Sequence, residues 1–569
     1  MKALALKFDR LGFLIIISAG IALFSVSSQS LWIDEANSAV KAVQPTWGSF
    51  VQAMRSERGS DLQMPLYMGA LWGWDKMAGS SEYALRAMNI PLFIAAIATA
   101  LWGLSTPVGI RAWFCLFAVC SPMVWTYLDE ARPYILQFFC STLVMVGLVN
   151  LGSEQGRPGL RQAAMVFAGI VLLCGSSLLG VIYSFFFGLA FLAIWLGRES
   201  FPASLRRPGL WILVLPAAVV LAGLATYYFW TLQVGARASG VGKTNAMSMA
   251  FCAYELLGFT GAGPGRAALR ENPIGALRPF IFPIALYGGI LAVFLVASLK
   301  YLRAFFSRAA ILPGIPIRSD TPKPASALLL EGRPPCRPWI ETDRTEPVPP
   351  NASRLAPRFL TLAVLASAVT VIGLGVAADF RVIGRHLMPL LPFLLLGMAG
   401  LASVLWSGGG RRGIVAAVLL AGLFSCISLR LSPRFAKDDY RSAAAVVRSA
   451  VSVGSTVWWA ADMAGANYYG VFPDENSVKT DGWKSSMRRI TRDPDSQPAS
   501  AIFIMNATPE ELASLPKPDV IILSKADIYD GAGALREWME INGFCISKFF
   551  PAFTVWKLGS KKISTAHSK

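Results

Sequence analysis

The stretch Gly12–Val40, "GFLIIISAGIALFSVSSQSLWIDEANSAV", runs apolar for long enough to enter a bilayer and then places two acids, Asp34 and Glu35, where such a helix should be ending. An apolar run near the ~20 residues needed to cross a membrane sets the class of the chain. Paired acids at its outer end raise the question of function, because charge at a membrane boundary is costly unless it is solvated, paired or used.

The rest of the 569 residues agree with that class. The chain is 54% hydrophobic and only 15% charged, with a mean hydropathy of +0.51, more apolar than one soluble core requires. Apolar segments fall at 11–29, 86–104, 110–127, 134–151, 163–178, 180–197, 210–230, 278–299, 359–376, 387–406 and 414–430, about eleven crossings by the length rule. The formal charge of +18 does not point to nucleic acid, since Lys and Arg cluster in short segments between apolar runs, as membrane orientation requires. With a cytoplasmic N-terminus, Arg157/Arg161, Arg198/Arg206/Arg207, Lys300/Arg303/Arg308 and Arg411/Arg412 all fall on the cytoplasmic side. An odd number of crossings then puts the tail outside. Most cysteines lie inside apolar runs and no CxxC pair occurs, so neither a disulfide framework nor a cysteine metal site is indicated.

Three regions stand apart from the crossings. The first outer loop, 30–85, carries "PTWGSFVQAMRSE", where Trp47, Phe50, Val51 and Met54 form a helical stripe behind the N-cap candidate Thr46. That stripe predicts a helix lying flat at the membrane surface, and a second begins at Pro65. Residues 301–358 are rich in Pro and Arg and read as a disordered cytoplasmic linker. From 431 onward, "DDYRSAAAVVRSAV" and "GALREWMEI" read as helices, "STVWWAA" and "DVIILSK" as strands, and "ISKFFPAFTVWKLG" as a hairpin. The expected architecture is a polytopic α-helical membrane module, 1–430, followed by a small extracytoplasmic α/β domain, 431–569.

The acid pair has a partner. "WTYLDEARPYIL" puts Asp129, Glu130 and Arg132 at the outer end of the third crossing, on the same side as Asp34 and Glu35. The outer segment "ADFRVIGRHLMPLLP" holds Arg381 and Arg385 directly before a crossing, where short loops should be poor in Arg. Arg suits bidentate phosphate binding, so a negative group at headgroup depth would account for these positions. Salt bridges to Asp129, Glu130 or Asp379, or contact with ordinary lipid headgroups, would account for them too.

In order, "LWIDEA", "MPLYMGALWGW", "SSEYALRAMNIP", "YLDEARPYIL", "GRHLMPLLPFLL" and "KDDYRSAAAVV" resemble the pattern of bacterial GT-C glycosyltransferases. The branch includes protein O-mannosyltransferases, aminoarabinose transferases and lipopolysaccharide galacturonosyltransferases. The likeness covers 1–300 and 359–460. Related sequences often carry a His or a second Pro where this chain reads Gln63 and Met64, and with only two His in the chain a His-coordinated metal site in that loop is not expected.

The resemblance implies transfer of a sugar from a polyprenyl-phosphate carrier to a glycan, lipid or protein acceptor on the outer face of the bacterial cytoplasmic membrane. It implies Asp34 as general base, with Glu35 beside it in the catalytic pair. It also implies Arg385, with Arg132 or Arg381 assisting, as the donor phosphate site. Glu35, Glu130, Asp129 and Asp61 are then candidates for orienting the acceptor or holding a divalent cation; no other cofactor is implied. A carrier of this kind is consistent with the lack of a Gly-rich nucleotide loop in a βα unit. The competing class is a transporter or lipid flippase, which should bury ionisable residues near the bilayer midplane. A non-catalytic scaffold would have no use for ordered acid and Arg motifs.

Overall fold

The computed structural model describes residues 2–56, 59–153, 159–234, 243–311, 352–407, 411–472, 487–489 and 501–559. Among these, eight helices are long and apolar enough to cross a membrane, and the bent pair Val108–Val119 and Pro122–Leu128 makes a ninth. Two further apolar helices, Leu11–Ser25 and Leu160–Ser176, are shorter and coincide with the two remaining expected segments. The chain is a multi-pass membrane protein.

Local chemistry sets the breaks. At the bent pair, the chain leaves the helix at Cys120, Ser121 caps the next one by accepting from the Val124 N–H at 3.4 Å, and Pro122 occupies its first turn. Proline is pre-organised there and donates no hydrogen bond, so the axis turns by 59°. The closely spaced pair around residue 177 resolves into two helices, Leu160–Ser176 and Leu178–Leu196. Ser177 is extended and its hydroxyl accepts from the Gly180 N–H at 3.1 Å. A Cβ on Gly180 would lie 2.0 Å from the Leu173 carbonyl oxygen, so only glycine permits this approach. Tyr134–Ser153 is the most enclosed span and Pro208–Gln233 is almost wholly peripheral.

The expected linker at 301–358 needs correction at both ends. One helix continues to Ile311 and the next begins at Ala352, because "KYLRAFFSRAAI" and "ASRLAPRF" contain good helix formers that extend an existing helix without a new nucleus. The middle of that segment, 312–351, lies outside the described residues. In the first loop, helices Ile33–Ala42, Trp47–Ser56 and Pro65–Ala78 form. Thr46 accepts from the Ser49 N–H at 3.1 Å as expected of a cap. The stripe is only partly outward: Phe50 and Met54 are buried in the core while Trp47 is 54% exposed, and Trp47, Phe50 and Trp72 pack ring on ring.

After Leu431 comes the α/β unit. Strands β1 (Val457–Ala460), β2 (Met487–Arg489), β3 (Ala501–Ile504), β4 (Val520–Ser524), β5 (Phe544–Phe550) and β6 (Phe553–Leu558) form one sheet of order β2-β3-β1-β4-β6-β5. Strands β3, β1 and β4 are parallel, and the edges are antiparallel. The expected strands, hairpin and helices are present; β2 and β3 are additional. Trp459 packs with helix Tyr440–Ser452 on one face and Trp458 with helix Ala534–Ile541 on the other, as alternation along a strand buried on both sides requires.

Candidate active site

Asp34 sits in the first turn of helix Ile33–Ala42, and Arg385 in the 3-10 turn Gly384–Leu390. That turn is held from two sides. The Gly384 N–H donates to Glu255 Oε2 at 2.8 Å, at a spot where a Cβ would come within 2.6 Å of the same oxygen, and the Tyr183 hydroxyl donates to the His386 carbonyl at 2.6 Å. Arg385 is thereby aimed at Asp34: its NH1 donates to Asp34 Oδ2 at 2.6 Å. The guanidinium lies 5.7 Å from the Trp32 ring and 5.8 Å from that of Tyr134, while its buried Nε has no hydrogen-bond partner. Both side chains are partly exposed, Asp34 at 28% and Arg385 at 19%.

Around this pair the charges are sealed. Arg86 Nε and NH2 donate to the two oxygens of Glu35, each at 2.7 Å, and neither side chain has any exposure. The Ala131 N–H (2.8 Å) and Lys437 Nζ (3.0 Å) complete the Glu35 carboxylate. Burial would raise this group, but Arg86 and Lys437 outweigh it and hold the carboxyl at about 2. Asp61 is saturated in the same way, by Lys41 Nζ at 2.8 Å, Arg132 NH1 at 2.7 Å and the Ser38 hydroxyl at 2.8 Å. Against the opposing effect of burial, Lys41 and Arg132 bring it to about 2. Asp129 accepts from the Ser27 N–H and hydroxyl at 2.6 and 2.9 Å.

A third group flanks Arg385. Arg266, 43% exposed, is gripped between Glu130 Oε1 (3.1 Å) and Glu255 Oε1 (3.0 Å), both nearly fully buried. Glu130 Oε2 is buried without a partner. Burial raises the Glu130 carboxyl above its ordinary value, opposed by Arg266 and Lys437.

The structure thus brings Asp34, Glu35, Asp61, Asp129, Glu130, Arg132 and Arg385 into one region and leaves Arg381 out. Arg381 is exposed, and Asp379 pairs instead with Lys243 at 3.4 Å. Arg132 NH1 is committed to Asp61, Ser38 and the Asp34 carbonyl, so it braces the Asp34 helix. Among the described residues no three His, Cys, Asp or Glu side chains are grouped as a metal site. The oxygens of Glu35 and Asp61 are already taken by cationic donors. Residues that carry the site but were not singled out from sequence are Lys41, Arg86, Glu255, Arg266 and Lys437. The clearest missed signal was Glu255, a lone acid inside the apolar "AFCAYELLGF".

The chain matches no protein-family model and no curated protein. It is similar to solved structures of two proteins. One is ArnT from Cupriavidus metallidurans bound to undecaprenyl phosphate, with 10% identity and TM-score 0.47 over 97% of this chain and 100% of that one. Its apo state gives 11% identity and TM-score 0.45 over 97% and 99%. The other is the arabinofuranosyltransferase AftD from mycobacteria, with 14% identity and TM-score 0.40 over 97% of this chain and 40% of that one.

Proposed function

We propose that this chain is a membrane glycosyltransferase of GT-C type that moves a sugar from a polyprenyl-phosphate carrier to an envelope acceptor at the outer face of the bacterial cytoplasmic membrane. One observation carries the reading: Asp34 and Arg385 form a solvent-accessible pair at 2.6 Å beside Glu35 and Asp61, whose carboxylates are sealed by cations. An open base beside an open guanidinium is the minimum needed to deprotonate a hydroxyl and receive a leaving phosphate.

In the reaction, an acceptor hydroxyl oxygen attacks the anomeric carbon as Asp34 takes its proton, and the bond from that carbon to the phosphate oxygen breaks. The phosphate departs with its charge met by Arg385, with Arg266 as the second open guanidinium nearby. A single displacement inverts the anomeric configuration. Burial alone would raise the Asp34 carboxyl, yet Arg385 and Arg132 lower it, which makes it a weak base while the pair is closed. A donor phosphate competes for Arg385 and so returns basicity to Asp34 once the donor is bound. Glu35, Asp61, Asp129 and Arg132 act as positioning residues, and Glu130, with Glu255, holds Arg266.

In this reading residues 1–430 form the transferase module and 431–569 an extracytoplasmic domain, with sidedness argued from the Lys/Arg bias of the short loops. The partners are a polyprenyl-phosphate-linked sugar, a glycan, lipid or protein acceptor, and membrane lipids. Mass spectrometry of envelope glycolipids and glycoproteins from cells lacking the gene should show the loss of one sugar increment relative to wild type. Identical mass profiles would overturn the reading.

A further inference from the structure

The α/β unit carries polar groups at one end of its sheet that the chemistry above does not use. Parallel strands β1 and β4 are neighbours, and the chain leaves their carboxyl ends toward opposite faces. After β1 it enters helix Met463–Tyr468, which packs with Tyr440; after β4 it enters the segment of Tyr529 and helix Ala534–Ile541. Such a divergence opens a crevice, the usual ligand position in open α/β sheets. Asp462 lies at the end of β1, its Oδ1 accepting from the Gly465 N–H at 3.1 Å. Lys525 follows β4 in a left-handed conformation (φ 42°), which non-glycine residues adopt uncommonly. Its ammonium pairs with Asp438.

One buried hydroxyl there has no partner, Ser524 Oγ, 1% exposed, and Tyr440 Oη, with no exposure, is approached by the Asp462 backbone N–H. The Tyr440 hydroxyl lies within electrostatic reach of Tyr529, Asp462 and Asp438. Most buried hydroxyls are hydrogen-bonded, so one left open beside a crevice can accept from or donate to a ligand.

The crevice faces the open pair. Helix Met463–Tyr468 packs on the Asp34 helix, Asp462 is within electrostatic reach of Asp34, and Lys437, next to Asp438, donates to Glu35. We propose that the crevice at the carboxyl ends of β1 and β4 is a saccharide subsite that holds the sugar portion of a glycolipid acceptor against Asp34. It rests on the transferase reading above. Carboxylates accept from neighbouring sugar hydroxyls, the ammonium donates to a ring or hydroxyl oxygen, and Tyr440 and Ser524 can do either. With two acids and one base, the crevice disfavours a phosphate.

The test uses the full chain in phosphatidylethanolamine/phosphatidylglycerol nanodiscs and two probes, undecaprenyl phosphate and the total glycolipid fraction of cells lacking the gene. Asp462→Asn, whose amide oxygen keeps the cap on Gly465, and Lys525→Gln should each weaken glycolipid binding by about tenfold or more, the scale of one lost charged hydrogen bond. Both should bind undecaprenyl phosphate within about twofold of wild type by the same criterion. Wild-type glycolipid binding in both variants, equal loss of both probes, or no glycolipid binding by the wild type would overturn the subsite. Failure of the wild type to bind undecaprenyl phosphate would instead overturn the transferase reading.

Discussion

Glu35 and Arg86, fifty-one residues apart, meet as a two-point ion pair with both contacts at 2.7 Å and no solvent exposure on either side chain. Arg86 also donates to the carbonyls of Ser27, Gln29 and Ser30 at 3.0, 2.6 and 3.0 Å. One guanidinium thus ties the exit of the first apolar helix to the acid motif.

Removing one partner of such a pair strands a buried charge, at a cost of about 3–5 kcal/mol. Glu35→Gln should therefore reduce accumulation in the membrane severely, not merely slow transfer. Quantitative immunoblotting of membranes checks this; wild-type abundance would show that Arg86 finds other acceptors.

Asp34→Asn should behave in the opposite way. The residue is open and the amide nearly isosteric, so the protein should accumulate normally while sugar transfer in isolated membranes falls by about 10²–10⁴. Transfer at the wild-type rate would remove Asp34 as the base.

Arg385→Lys keeps the charge but not the fork. An ammonium cannot meet a phosphate at two points, so the half-saturating donor concentration should rise about tenfold or more, as for one lost charged contact. Titration of transfer against polyprenyl-phosphate sugar reads this directly, and unchanged donor dependence would assign Arg385 to bracing alone.

Acid should loosen the site in a defined window. Glu35 and Asp61 are held near 2 against ordinary values of 4.5 and 3.8, so the folded state releases their protons more readily than the unfolded chain. Their stabilisation is complete above about pH 4.5 and is lost as pH falls toward 2. The sign reverses for Asp462, which burial raises to about 6 despite the Gly465 N–H and Lys525. Its contribution is lost as pH rises from about 4 to about 6, so Asp462→Asn should melt a few degrees above wild type at pH 7.5, with the gap closing toward pH 4. Thermal unfolding in detergent across pH 3–8 measures both.

Sidedness is tested separately. Reporter fusions after Arg308 and after Ser560 should report opposite faces of the membrane, the first cytoplasmic and the second outside. The same face for both would overturn the assigned topology.

Much of the fold is legible in the residues because its signals are local. Apolar runs mark all eleven helical segments, Pro122 and Ser177 mark breaks, and the short continuous apolar runs "VWWA" and "VIILS" mark β1 and β4 as strands buried on both faces. The site is legible only as a set of motifs: Asp34, Glu130 and Arg385 stand out because charge at a membrane boundary is expensive wherever it occurs.

Which charge does what depends on distances that no local pattern encodes. Asp34 and Glu35 are neighbours of the same chemical type, and sequence alone says only that they point in different directions. Folding turns Glu35 inward to Arg86 and Lys437 and leaves Asp34 open to Arg385, which lies 351 residues away. The same holds for Arg385 and Arg381, four positions apart on one outer segment: the 3-10 turn anchored by Glu255 and Tyr183 brings one into the cluster and leaves the other exposed. Sequence determined that this protein spans a membrane and carries acids and arginines at one boundary, because hydropathy and the cost of charge act residue by residue. Tertiary structure alone decided which of them are sealed in ion pairs and which stay accessible to solvent, because burial and pairing are properties of contacts between distant parts of the chain.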